Sequence, residues 1–303
     1  MSLLTTLIVK TLPLVPKSIV GQVSKRYIAG STISEAVRVV RSLNAKGMMA
    51  TVDLLGEDVY AESEAVSIKN EWLSAQRTLH EAKLDTNCSL KLSQLGLRID
   101  RELCYRNLET IVANAREMGM FIRIDMEDSS TTTDTLTMYR RLREAGYDNV
   151  GVVIQAYMKR SEEDIRSLAK LKASFRLCKG IYIEPDAIAF RDRDEVRQNF
   201  ILLLRTLFES GCYVGIATHD DYLVDKAYEL ISTYKLSRDQ YEFQMLLGVR
   251  EQLRDSIVAR GHRLRVYVPY GQAWYAYSVR RLNENPQIAG YIVKAMLGLT
   301  KTQ

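Results

Sequence analysis

Several side chains and motifs from which common active sites are built are scarce in this sequence. Its 303 residues include only three histidines and four cysteines. The cysteines, Cys88, Cys104, Cys178 and Cys212, form no CxxC pair, and no zinc-ligand spacing appears. Disulfide redox chemistry and a patterned zinc site are therefore disfavoured, and a reducing, cytoplasmic setting is the simplest fit. No GxG occurs anywhere, and there is no P-loop, GxSxG elbow or HExxH. These absences argue against an open dinucleotide-binding sheet, an NTPase, an α/β hydrolase and a metalloprotease. Charge of one sign is not in excess either: 42 basic residues face 37 acidic ones, a formal net charge of +5, and the basic residues are scattered. No nucleic-acid partner is indicated.

A long apolar run is also missing. The opening LLTTLIVKTLPLVPKSIV resembles the core of a signal peptide, but Lys10, Pro13, Pro16 and Lys17 interrupt it. It falls well short of the roughly 20 apolar residues that span a bilayer. Residues 1–45 read as an amphipathic helical arm that packs on the body, mediates self-association or lies on a membrane surface, with packing favoured.

What is present is regular. Hydrophobic residues make up 47% and charged residues 26%, as in a soluble globular chain. From residue 46 onward, eight short β-branched or aromatic runs alternate with helical patterns: 48–55, 88–93, 120–127, 149–157, 175–182, 213–219, 241–246 and 263–270. Helical faces are legible in Ala65, Ile68, Trp72, Ala75 and Leu79, or in Val196, Phe200, Leu203 and Leu207. Gly119, Gly146 and Gly211 stand where C-terminal caps are expected. Eightfold β-then-α alternation predicts an α/β fold, a (β/α)8 TIM-type barrel over residues 46–303 with the N-terminal helical arm outside it.

In such barrels chemistry gathers at the C-terminal ends of the strands. Polar residues recur there: Asp53 and Glu57, Lys91, Asp125 and Glu127, Gln155 and Tyr157, Arg176, Lys179 and Tyr182, Thr218 and His219, Gln244, Tyr267 and Tyr270. Lys91 alternates with Leu90 and Leu92, so it faces into the barrel or toward the helices. It is either half of an ion pair with Asp125 or Glu57 or a functional group. His219 in ATHDD could bind a metal with Asp220 and Asp221, but adjacent aspartates before a helix more often start it, and no metal site is expected. The amides of Gln155 and Gln244 suit the edge of a heteroaromatic ring or the closing of loop backbone. Cys178 has apolar neighbours and reads as inert. Further on, WYAYSVRRLNEN places Tyr277, Arg280, Arg281 and Glu284 on one side of a helix, a grip for a carboxylate or a solvated charged face. With cations, amides and aromatics but no evident nucleophile or metal, a cofactor that carries the reaction is attractive. A Schiff-base aldolase using Lys91 or Lys179 is a second reading.

The segments DMED (125–128), IQAY (154–157), RLCKGIY (176–182), ATHDD (217–221), FQML (243–246), RVYVPYG (265–271) and YSVRRLNEN (277–285), in this order, resemble the proline dehydrogenase family, and LKLS and TVDLLGE extend the likeness to the first two strands. The length resembles that of the stand-alone bacterial enzyme. The resemblance implies noncovalent FAD and oxidation of L-proline to Δ1-pyrroline-5-carboxylate, the first step of proline catabolism, by hydride transfer from C5 to flavin N5. Arg280 and Arg281 would bind the substrate carboxylate, Tyr267 and Tyr277 would wall the pocket, and Leu246 would line it. Lys91 and Asp125 match the active-site lysine and aspartate, and Glu57 an acidic residue that pairs with an arginine when the site is empty. Asp125, Gln155, Arg176, Cys178 (chiefly by its backbone), Lys179, Gly180, Thr218, His219, Gln244 and Glu284 match flavin-contact positions.

Ile181 and Ile183 depart from the frequent KGAYW form and bear on local flavin packing. Electrons would pass to a membrane quinone, which suits a peripheral stay at the inner face of the cell membrane, and a homo-oligomer is compatible with the sequence. The rival assignments are a methylenetetrahydrofolate reductase-like flavin barrel and a non-catalytic amino-acid-binding barrel.

Overall fold

The computed structural model describes residues 20–21, 24–56, 58–275 and 277–278. Eight parallel strands close in chain order into one barrel: β1 (Met49–Leu54), β2 (Thr86–Leu90), β3 (Ile122–Ile124), β4 (Val150–Gln155), β5 (Ser174–Cys178), β6 (Tyr213–Ala217), β7 (Tyr241–Leu246) and β8 (Leu264–Tyr270). Helix α1 (Ile33–Asn44) precedes β1. Between the strands run α2 (Glu62–Glu81), α3 (Arg101–Glu117), α4 (Ser129–Glu144), α5 (Ser161–Ala169), α6 (Arg193–Glu209), α7 (Asp221–Thr233) and α8 (Glu251–Ala259). The (β/α)8 barrel expected from the alternation is the observed fold. Several strands end earlier than their sequence windows. Lys91 lies one residue past β2, where a 3-10 turn, Leu92–Leu95, begins, and Asp125 lies one residue past β3.

Local signals set the helix ends. Thr32 and Glu35 cap the start of α1 reciprocally, and Asp100, Asp128 and Asp192 accept backbone N–H groups at the starts of α3, α4 and α6. Gly119, Gly146 and Gly211 take left-handed backbone after α3, α4 and α6, with φ of +65°, +84° and +65°.

Strand alternation sorts the side chains by chemistry. Residues such as Ala50, Val52, Ile122, Ile124, Phe175, Leu177, Val214, Ile216, Val266 and Val268 join the helices in the apolar core around the barrel. Thr51, Asp53, Ser89, Arg123, Arg176, Glu242, Gln244 and Arg265 occupy the alternate, inward positions and are buried. Branched aliphatic residues usually fill this space. Charges there require partners, because an unpaired buried ion is costly. Arg123 donates to the carbonyls of Val152 (3.0 Å) and Ser174 (2.6 Å), and Arg265 Nε donates to Glu242 (2.7 Å). Gly151 makes room for this arrangement: a Cβ there would overlap the Arg123 guanidinium and lie 2.5 Å from the Ser174 carbonyl oxygen.

Helix α1 packs against both β1 and β8, the position that the helix after the last strand takes in an ordinary barrel. Two backbone bonds stitch this seam, Ala29 N to Pro269 O (2.9 Å) and Gly271 N to Gly30 O (3.0 Å). Past β8, Ser278 Oγ meets Ser24 Oγ at 2.7 Å. Among the described residues no helix is long and apolar enough to cross a membrane.

Candidate functional site

A cavity of about 310 Å³ opens at the C-terminal mouth of the barrel. Its floor is ionic. Asp125 Oδ1 accepts from Arg176 Nη1 (2.7 Å) and Ser89 Oγ (2.5 Å), and Oδ2 accepts from the Tyr267 hydroxyl (3.1 Å). Lys91 Nζ lies 3.6 Å from Asp125 Oδ2 and donates to Asp53 Oδ1 at 2.8 Å. Lys91 therefore faces into the barrel. Asp53 is its nearer partner among the described residues, where sequence pointed to Asp125 or Glu57.

The groups fix one another's ionisation. Burial works against a charge on Lys91, but Asp53 and Asp125 outweigh it and raise its pKa above the ordinary lysine value, so it is an ammonium. Burial pushes Asp125 up, and Arg176, Lys91 and its hydrogen bonds more than reverse this, so its carboxyl lies below the usual range. Burial, then Asp125 and Asp53, raises the Tyr267 hydroxyl well above the usual tyrosine value, so it acts as a donor.

From this floor a chain of bonds descends into the barrel. Arg176 Nε donates to Gln244 Oε1 (2.5 Å), and Gln244 Nε2 donates to Glu242 (2.6 Å). Glu242 also accepts from Arg265 and from the Tyr213 hydroxyl (2.8 Å). This sequence of donors sets which way the Gln244 amide points. Gly215 is required beneath it, since a Cβ there would overlap that amide.

The upper wall combines apolar and polar groups. Met126, Val153, Ala217 and Leu246 supply the apolar part, and Gln155, Lys179, Thr218 and His219 the polar part. Gln155 Nε2 closes the preceding loop on Met126 O (3.2 Å). His219 Nε2 accepts from Leu246 N (2.9 Å), which assigns its proton to Nδ1. Thr218 Oγ1 accepts from Asp220 N (3.2 Å). Asp220 stands at the N-cap of α7 without capping it. Its carboxylate accepts from Arg197 (2.9 and 3.0 Å) and Lys179 (3.4 Å), which tethers Lys179 at the rim. Gly180 has φ +100°, and a Cβ there would run into the Tyr157 ring, so the backbone passes directly over that side chain. Cys178 Sγ lies 3.7 Å from Ile154 O, and burial pushes its thiol up to about 11, which makes it a poor nucleophile.

The cavity thus gathers Lys91, Asp125, Gln155, Arg176, Cys178, Lys179, Gly180, Thr218, His219, Gln244, Leu246, Tyr267 and Tyr277. Glu57, Arg280, Arg281 and Glu284 lie outside the described residues. Sequence reasoning did not assign Ser89, Glu242 or Arg265 to the site. Their shared signal is strand parity, since each is a polar residue on the face opposite an apolar stripe. The cations of this ionic floor can orient an anion, and the amide-edged apolar wall above it suits a flat heteroaromatic ring.

The family described as proline dehydrogenase matches residues 36–293. Proline dehydrogenase 1 of Bacillus subtilis is 38% identical over 274 residues, 90% of each chain. Proline dehydrogenase of Deinococcus radiodurans is 36% identical over 278 residues, again 90% of each. Among solved structures, proline utilization A of Bdellovibrio bacteriovorus superposes with a TM-score of 0.83 at 25% identity over 93% of this chain. This chain spans only 36% of that longer protein.

Proposed function

The chain belongs to the proline dehydrogenase family, and from that premise we propose that it oxidises L-proline to Δ1-pyrroline-5-carboxylate with FAD held noncovalently at the barrel mouth. The observation that carries this reading is the cavity in which the Lys91, Asp125 and Arg176 floor lies beneath an apolar, amide-edged wall.

The residues present fit a flavin. The site needs donors and acceptors for the edge of the ring system, an apolar face and cations for a phosphate-bearing tail. Gln155 and Gln244 offer amides, Met126, Val153 and Leu246 the face, and Lys179 a cation at the rim. Arg176, Lys179, Gly180, Gln155, Thr218, His219 and Gln244 would hold the cofactor, with Asp125, the Cys178 backbone and Glu284 completing the set. When bound, FAD would accept the hydride that leaves proline C5.

The rest of the work falls to the chain. Arg280 and Arg281 clamp the substrate carboxylate with forked donors and so fix the ring's orientation. Lys91 adds a positive charge to that end of the pocket, Asp125 holds Lys91, Arg176 and Tyr267 in place, and Tyr277, Tyr267 and Leu246 exclude water around the ring. Arg176 keeps a positive charge beside the position where negative charge accumulates on reduction. Glu57 pairs with a clamp arginine when substrate is absent. The electrons then pass to a membrane quinone, and the contact with the membrane is peripheral.

The test is an anaerobic visible spectrum of the purified protein before and after L-proline. A yellow protein bleached by proline is the expected result. A protein that stays colourless after reconstitution with FAD would overturn the reading, and borohydride trapping on a lysine would then point to Schiff-base chemistry.

A further inference from the structure

The interior of the barrel holds buried carboxylates to which the reaction above gives no part, and one of them adjoins Lys91. Asp53, on β1, is fully buried, with 0% of its surface exposed. Its Oδ1 accepts from Lys91 Nζ at 2.8 Å, much closer than the 3.6 Å from that ammonium to Asp125. Its Oδ2 is buried and has no hydrogen-bond partner among the described residues. A buried acceptor without a donor is costly. Asp125 is different: its two oxygens are occupied by Ser89, Arg176 and Tyr267.

The groups facing Asp53 are Lys91 after β2, Asp125 after β3, and Tyr267 and Tyr270 on β8; Arg176 on β5 acts on Asp125, and Glu127 acts on Lys91. With both aspartates ionised, Asp53 and Asp125 balance Lys91 and Arg176. With Asp53 neutral, the floor carries one positive charge in excess.

Resting on the assignment of proline oxidation, we propose that Asp53 is a positioning residue for the reaction: it holds the Lys91 ammonium at the cavity floor and, through its own charge, sets whether that floor is neutral or net positive toward the bound substrate. The chemistry makes that charge matter. As C5 gives up its hydride, the ring nitrogen must supply a lone pair to form the C=N bond, so the amine has to shed its proton first. Proline that has done so is an anion, and a net-positive floor favours it. Burial raises the Asp53 carboxyl, Lys91 opposes that rise and Asp125 reinforces it, so the net shift is upward.

Asp53→Asn tests this, because the amide keeps an acceptor for Lys91 while removing the charge. The acid limb of kcat against pH reports ionisations in the substrate complex. It is expected to move to lower pH by about one unit, the scale of shift that removal of one nearby charge produces. A purely structural role predicts a lower melting temperature with a superimposable acid limb, and that result overturns the proposal.

Should Asp53→Asn fail to fold, Lys91→Met serves in its place. Infrared spectra of that holoenzyme at neutral pH, without proline, are expected to gain the carbonyl stretch of a buried protonated carboxyl group relative to wild type. Absence of the new band overturns the proposal. Wild-type enzyme that proline does not reduce would instead refute the function itself, and the infrared comparison would still judge the Asp53 and Lys91 coupling.

Discussion

Replacing Glu242 by glutamine would expose how the cavity floor is supported. Glu242 is 2% exposed and accepts from Arg265 Nε at 2.7 Å, Gln244 Nε2 at 2.6 Å and the Tyr213 hydroxyl at 2.8 Å. The substitution nearly preserves shape but leaves the buried Arg265 guanidinium without its counter-charge, which typically costs about 3–5 kcal/mol. In a chain of this size each kcal/mol lowers Tm by roughly 2 °C, so a fall of about 6–10 °C is expected. Pairing Glu242→Leu with Arg265→Met removes both charges and should cost less than the sum of the two single changes by about 2 kcal/mol or more, measured by urea unfolding.

The pH dependence has a definite sign. Burial raises the Glu242 carboxyl, but Arg265, Gln244 and Tyr213 pull it below the ordinary glutamate value of 4.5. Its stabilisation is therefore complete above that value and is lost as pH falls through the depressed one, so the gap between wild type and variant should narrow in acid. In the active site, the Gln244 amide would be freed to turn away from Arg176, and flavin reduction by proline should slow about tenfold, the equivalent of one hydrogen bond. Additive single and double costs, with an unchanged reduction rate, would refute both the ion pair and its link to the floor.

Other outcomes follow from the same geometry. Arg281→Met should lower kcat/KM for proline about 100-fold, the loss of a charge-assisted bidentate contact, and near-unchanged steady-state kinetics would remove the clamp from the account. Gly151→Ala places a methyl group against Arg123 and the Ser174 carbonyl and should cost about 1–3 kcal/mol in urea melts. Cys178→Ala should leave kcat within about threefold, and thiol labelling at Cys178 should be slow at neutral pH, because its pKa is pushed up to about 11.

The barrel was legible because alternation is a chain-wide signal: eight windows of β-branched residues separated by helical stripes admit few folds. Strand ends were less legible. Lys91 and Asp125 read as strand residues, but the β2 and β3 ladders stop at Leu90 and Ile124, because strand length depends on where the neighbouring strand ends. The site residues at the strand ends were legible as polar positions, their roles came from motif likeness, and the cavity brings most of them together. Asp125, one of the two expected partners, does pair with Lys91 at 3.6 Å, but the nearer Asp53 was not foreseen, because pairing across a barrel depends on the register of β1 with β2, Asp53 opposite Ser89, which local sequence does not encode. Glu242 and Arg265 went unassigned for the same reason: either one alone reads as a surface charge on a strand, and only closure of the barrel sets them face to face.

The seam between the first and last strands also has a kinetic meaning. Every other strand pair joins segments adjacent in the chain, but β1 pairs with β8 from Met49 opposite Arg265 to Leu54 opposite Tyr270, and α1 docks on the same two strands. Neither contact can form until more than 200 intervening residues, from 55 to 263, have emerged from the ribosome. Loops of that length close slowly. Until they do, β1 and the apolar face of α1 stand exposed as an unpaired edge, the part of the nascent chain at greatest risk of aggregation and most in need of a chaperone.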